Sequence, residues 1–518
     1  MKKNIIVLLI AASTIVSPSV SASNADYPLP ASVQLVLKQL EETYRILDLT
    51  AEKTWSGWSN YREFPFKFQF DNGLVVLIGH PSPPEGFDLL RDIQVAGKKV
   101  YIDKGNVSNL SLVYPFQGGG GIIPFGTDEN GKSIMIVDLR LTNAVTDTAI
   151  DREKSIAEQQ ILTNIHELFH LFQRNILQYR YGNLMYNPDF DYSVYSRIEG
   201  KALEQAWSET NPEKAILFIK DFLYARMEKV KKSMTGIQSK QEGDDDLMEG
   251  TAVYAEIRTL ELLKDGYQPT LLPDEDPAYN GFRDTDGLLK KEFSDRLEKD
   301  AEDLLEAKMK CYQYGCAQAL LLQRYFPGWQ DSVMKVPRNL FEELQKRLPL
   351  SDSDKKMIRE RFKTMYGIDT LSTRAKREID ERDRTVKSVL KRKGYSYILN
   401  FKPVRHFLQP EKNRKVSSLG LVYAYPEGFG DFSLNDITVK GLESIPVEKN
   451  QLYYLKIVNS NPVEGEKPYE IKYELKEEGN IYKNVVITTP LFTITAPEIS
   501  IQETKNRVKF SFLSRVKD

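Results

Sequence analysis

His166, Glu167 and His170 form an H-E-x-x-H pattern inside the segment Ile161–Arg174, ILTNIHELFHLFQR. Leu162, Ile165, Phe169, Phe172 and Ile176 recur at helical spacing and predict a helix with one apolar face. Two histidines four positions apart then share a side of that helix, one turn apart, where both rings can reach one metal ion. Glu167, beside the first histidine, is placed to act on a metal-bound water instead of the metal. The chemistry implied is hydrolysis assisted by one zinc ion per chain. The metal acidifies a water, and Glu167 takes its proton and hands it to the leaving amine. The chain holds four histidines, so this motif takes half of them. Of the others, His80 ends an apolar strand and reads as a packed residue, and His406 has no acids at ligand spacing.

Two histidines leave a catalytic zinc one protein ligand short. Two glutamates could complete the set. Glu199 stands in IEGKALEQAW, 29 positions past His170 (199 − 170), and Glu249 begins EGTAVYAE, 79 positions past it (249 − 170). Both start a Glu-Gly-x-Ala run on an expected helix, so spacing alone leaves the choice open.

The run Glu249-Gly250-Thr251-Ala252-Val253-Tyr254-Ala255-Glu256 resembles the E-G-x-A-x-Y-x-E segment of gluzincin zinc peptidases. That resemblance implies Glu249 as the third ligand, with Glu256 further along the same face. It leaves Glu199 a structural residue or a partner of a histidine. Tyr312-Gln313-Tyr314-Gly315-Cys316-Ala317, followed by Ala319-Leu320-Leu321-Leu322, is similar to the Y-x-x-G-x-A-L-L stretch of the same family. The likeness implies Tyr312, with Tyr314 next, as donor to the oxyanion of a tetrahedral intermediate. It also implies a strand that aligns the substrate backbone ahead of the metal helix, here Ser133–Leu139. The resemblance covers about residues 152–340. The family keeps its glutamate close behind the histidines, whereas Ser196–Lys231 intervenes here and reads as an inserted pair of helices. No match to the family's amine-anchoring acidic motif is found, so cleavage inside a chain or at its end stays open.

These residues need a scaffold, and the pattern along the chain supplies one. Lys2 and Lys3, an apolar run from Ile5 to Val16 and small residues up to Ala25 predict a signal peptide over 1–25. No cysteine near the cut offers a lipid attachment point. The mature chain is therefore expected in the periplasm or secreted. Ala31–Leu49 reads as an amphipathic helix, and short apolar runs from Phe64 to Leu139 as a small sheet, making 26–150 an α/β part of the catalytic unit. Residues 151–370 read as a mainly helical, zinc-peptidase-like domain, 371–394 as a charged helical linker and 395–518 as a β-rich accessory domain. The expected fold is α+β and multidomain: a small N-terminal sheet against a zincin-like helical domain, then a β-sandwich-like domain. Asp244–Asp246 is expected to cap the Glu249 helix, since a helix N-terminus favours negative charge. Asp284-Thr285-Asp286-Gly287 lacks most of a calcium-loop pattern.

Composition is that of an ordinary soluble protein. The 518 residues are 41% hydrophobic and 28% charged, with a net charge of −2. That balance excludes a general nucleic-acid binder, which needs a basic surplus. No segment past the leader is apolar enough to span a membrane. Cys311 and Cys316 are the two cysteines; a regular helix through both would hold them too far apart to bridge, and buried thiols are expected. The partner expected is a peptide or protein substrate. Two other readings compete: an inert gluzincin-like scaffold that binds a protein or glycan through its β domain, and a zinc hydrolase acting on another bond.

Overall fold

The computed structural model describes residues 31–69, 75–81, 83, 85–103, 123–127, 133–138, 156–176, 189–234, 236–264, 266–269, 281–302, 307–335, 338–390, 394–400, 423–425, 432–434, 437–441, 447–451, 454–459 and 468–513. The expected signal peptide and His406 lie outside them.

Helix α1 (Ala31–Thr54) buries Val33, Val36, Leu37, Leu40, Tyr44 and Leu47, a stripe at helical spacing, and runs a turn beyond its expected end. Strands β1 (Phe66–Gln69), β2 (Val75–Ile78), β3 (Asp88–Val95), β4 (Lys98–Asp103), β5 (Ile123–Thr127) and β6 (Ser133–Asp138) form a six-stranded sheet in the order β3-β4-β2-β1-β6-β5. Its pairings are antiparallel except β1 with β6. Strand β2 is apolar and buried throughout, as its uninterrupted VVLI predicts for a central position. Strand β5 contains Pro124 and Gly126 and stands at the edge, where a proline costs no ladder bond.

The helical part follows. It comprises α2 (Ile156–Ile176), α3 (Phe190–Ser208), α4 (Pro212–Lys232), α5 (Gly236–Leu263), α6 (Thr285–Leu289), α7 (Asp295–Glu302), α8 (Ala307–Tyr325), α9 (Trp329–Lys335), α10 (Leu340–Arg347), α11 (Asp352–Thr364) and α12 (Ile368–Leu390). Helices α3 and α4 are the pair expected between the histidines and Glu249. Each begins on a side-chain cap, Asp189 for α3 and Asn211, followed by Pro212, for α4. One apolar core joins the N-terminal sheet to these helices. Around α2 it is aromatic: Phe169 lies between Trp55 and Trp58, at ring-centroid distances of 5.3 and 4.9 Å, and Trp55 meets Trp329 at 5.2 Å. Helix α12 docks on this body through Leu371, Ala375 and a two-pronged hydrogen bond from Arg197 of α3 to Glu378. Among the described residues, no helix is long and apolar enough to cross a membrane.

The C-terminal strands are β7 (Tyr395–Asn400), β8 (Tyr423–Tyr425), β9 (Phe432–Leu434), β10 (Ile437–Lys440), β11 (Val447–Gln451), β12 (Tyr454–Asn459), β13 (Glu470–Lys472), β14 (Leu475–Glu477), β15 (Ile481–Thr488), β16 (Thr493–Thr504) and β17 (Arg507–Phe512). They form one branched sheet with its own apolar cluster. The branch is β16, which pairs with β15, with β17 at its C-terminal end and with β10 at its N-terminal end.

One local expectation changes. Asp244–Asp246 does not precede the Glu249 helix, because α5 begins at Gly236 and carries these aspartates in its interior. Asp246 instead accepts hydrogen bonds from Arg226 at 3.0 Å and Gln318 at 2.9 Å, partners that compensate a buried carboxylate inside a helix. Asp284 caps α6 by accepting from the Gly287 N–H, and Asp286 pairs with Lys264, which accounts for that acidic run. Cys311 and Cys316 are both buried and unbonded to each other on α8.

Candidate metal centre

Three helices build the site. The apolar face of α2 buries Ile161, Leu162, Ile165, Leu168, Phe169 and Phe172, which fixes how its other face is turned. That face carries His166 and His170, with ring centroids 4.6 Å apart and planes nearly perpendicular. Helix α5 brings Glu249, whose Oε2 lies 3.6 Å from His166 Nε2 and 3.3 Å from His170 Nε2. One donor atom from each of the three residues lies within 4.8 Å of the others, and all three side chains are buried.

The far side of each ring is also engaged. His166 Nδ1 donates to Glu256 Oε1 at 2.6 Å, and His170 Nδ1 lies 2.6 Å from Gln173 Oε1. Glu256 stands seven residues after Glu249 (256 − 249), two turns along one face, so a single helix supplies a donor and the support of another donor. Nitrogens held in this way are the usual device for orienting metal-binding histidines.

Glu167 is partly exposed as a residue, but its Oε2 is closed off from solvent and has no hydrogen-bond partner among the described residues. Burial pushes the Glu167 carboxyl up to about 7 in the metal-free chain; the two histidines oppose this and Glu249 and Glu256 add to it. For Glu249 burial acts upward, yet the two histidines in their charged form, doubly protonated, outweigh it and hold the carboxyl well below the usual range. Burial likewise opposes charge on His166, and its bonds to Glu249 and Glu256 overcome that and raise it well above an ordinary histidine. Two imidazoles and a carboxylate with converging donor atoms fit a divalent transition-metal ion.

Helix α8 adds Tyr312, whose ring lies nearly parallel to that of His166 at 6.0 Å. Burial first, then the neighbouring Glu249, keeps its hydroxyl protonated far above the normal tyrosine range. Tyr314 points elsewhere, donating to the Ser196 carbonyl at 3.0 Å. The approach of α8 to α5 depends on glycine: a β-carbon on Gly250 would collide with the Gly315 backbone, and one on Gly315 with the Asp246 carbonyl. The residue after the third donor is therefore glycine because a second helix backbone lies against it.

Glu199 is placed away from the donor triangle. It is fully buried and accepts from Arg226 at 3.0 Å and Lys229 at 2.7 Å. Lys229 also donates to Glu242 at 2.6 Å, so Glu199, Glu242 and Asp246 share two cations in one network joining α3, α4 and α5. The strand Ser133–Leu139 appears, over its described residues, as β6; it is paired on both sides, and β5 is the edge strand. Sequence reading missed Gln173, for which the only signal was its place three residues beyond His170. No family model, curated protein or solved structure matches this chain.

Proposed function

We propose that this protein is an exported zinc metallopeptidase of the gluzincin type, with a zincin-like catalytic unit built from the N-terminal sheet and the helices around α2 and α5. One observation carries the reading: His166, His170 and Glu249 converge, and Glu167, next to His166 in the chain and within electrostatic reach of all three, has one buried carboxylate oxygen with no partner among the described residues. His166 Nε2, His170 Nε2 and the Glu249 carboxylate would hold the ion. Bound zinc supplies a Lewis acid that brings the pKa of a water toward about 7 and polarises a carbonyl.

The chain's own groups do the rest. Glu167 takes the proton of the attacking water on its free oxygen and returns it to the leaving amine nitrogen, a role suited to a carboxyl tuned upward by burial. The Tyr312 hydroxyl donates to the oxygen on which negative charge develops, and its firmly held proton makes it a donor throughout. Glu256 keeps the His166 ring turned toward Glu249. Strand β5, whose outer edge pairs with no other described strand, is the segment able to align an extended substrate by backbone hydrogen bonds.

The test is cleavage of a mixed peptide library by the zinc-loaded protein beside Glu167→Gln. The reading expects cleavage by the wild type and a loss of at least about a hundredfold in the variant with zinc retained. Equal cleavage by both proteins would remove Glu167 from the mechanism. No cleavage by either would favour a zinc site serving another bond or a binding role.

A further inference from the structure

Gln173 is fully buried three residues past His170, and the reaction outlined above gives it nothing to do. A glutamine amide has a donating end and an accepting end, and here chemistry fixes which faces where. Gln173 Nε2 lies 2.9 Å from the Met248 carbonyl and 2.6 Å from Thr251 Oγ1. A carbonyl can only accept. The Thr251 hydroxyl already gives its hydrogen to the Leu247 carbonyl at 2.6 Å, so toward Gln173 it accepts as well. The nitrogen end is thus pinned against α5, and the oxygen end faces His170 Nδ1 at 2.6 Å. Since an amide oxygen only accepts, Nδ1 carries the hydrogen. In a neutral imidazole the other nitrogen then holds a lone pair. That nitrogen, Nε2, is the one 3.3 Å from Glu249.

We infer that Gln173 is the positioning residue of His170: it keeps the ring proton on Nδ1, turns the Nε2 lone pair toward the donor triangle, and ties α2 to α5 at the residue before Glu249. The two rings are therefore backed differently, His166 by a carboxylate and His170 by an amide. Three carboxylates, Glu167, Glu249 and Glu256, already crowd the centre. A neutral acceptor orients the second ring without adding a fourth buried negative charge. A glutamine also does what a carboxylate cannot, since it donates to Met248 and Thr251 while accepting from the histidine.

The inference takes its purpose from the zinc reading, but its first test needs no metal. Nitrogen-15 spectra of the metal-free full chain with labelled histidine, recorded at pH 8.5, locate the ring proton, the His170 signals being assigned by their loss in His170→Gln. The expected result is a protonated Nδ1 and an unprotonated Nε2. A proton on Nε2 of neutral His170 in the wild type overturns the inference, whatever any variant does. Gln173→Met, of similar volume and without hydrogen bonds, should release the proton to both nitrogens and weaken zinc binding by about 10–100-fold. A folded Gln173→Met that binds zinc as the wild type does overturns it too. A wild-type chain with the proton on Nδ1 that binds no zinc supports the orientation by Gln173 and defeats the metallopeptidase reading, so the two failures are told apart.

Discussion

Gly250 and Gly315 meet backbone to backbone where α5 crosses α8, one residue past the glutamate of the donor triangle and three past Tyr312. The contact turns two sequence motifs into one site. Glu249 and Tyr312 lie 63 positions apart (312 − 249), and they share a centre because their helices carry no side chain between them.

Alanine at either glycine should therefore act on catalysis as well as stability. Gly250→Ala and Gly315→Ala must push the helices apart, at a cost of about 2 kcal/mol or more. Tyr312 moves with α8 relative to the histidines on α2 and to Glu249 and Glu256 on α5. Denaturant unfolding should show the loss, and peptide cleavage should fall further than zinc content.

The two glutamates that sequence spacing could not separate now predict opposite behaviour. Glu249→Gln should lower zinc affinity by more than about a hundredfold, beyond the range for a residue that only supports a ligand. Glu199→Gln should keep one zinc per chain but leave Arg226 and Lys229 short of a buried partner, costing about 3 kcal/mol. Zinc titration and urea midpoints of the metal-free proteins check both.

Glu256 supports a donor without being one. Glu256→Ala should weaken zinc binding by about 10–100-fold through loss of the His166 Nδ1 partner, and cleavage at saturating zinc should largely return. A variant that stays inactive when fully loaded would give Glu256 a direct part in the reaction.

The sign of the Glu167 shift gives a pH test on the metal-free chain. Its folded pKa, about 7, lies above the ordinary 4.5, so the fold prefers the neutral carboxyl. The stability this contributes is fully present below about pH 4.5 and is lost as pH rises through 7. Glu167→Gln stays neutral and should gain on the wild type by about 3 kcal/mol across that window, read from unfolding curves in chelator. Parallel curves at every pH would contradict the burial of this carboxylate.

The chemistry-bearing residues were legible in the sequence because helical spacing translates directly into space. His166 and His170, one turn apart, needed no tertiary information, and Glu249 with Tyr312 came from a family likeness. What depends on distant partners was not legible. Asp246 looked like a helix cap because Arg226 and Gln318, which compensate it inside α5, lie 20 and 72 residues away. Within the sheet expected over Phe64–Leu139, β3 has no apolar run of its own to mark it, because Asp88, Arg91 and Asp92 interrupt its apolar residues and Leu90 and Val95 alone are buried in it. Strand β5 carries Pro124 and Gly126, which weaken a strand pattern in sequence but which an edge position tolerates. Gln173 escaped notice because a glutamine on a helix has no meaning until Met248 and Thr251 show which way its amide must point.

The most direct measurement is the zinc content of the purified protein over residues 26–518, after dialysis without chelator. The account predicts about one zinc per chain, lost from His166→Ala and His170→Ala. A chain that holds none, even after zinc is added back, would mean that His166, His170 and Glu249 converge without binding, and the metallopeptidase account would fall.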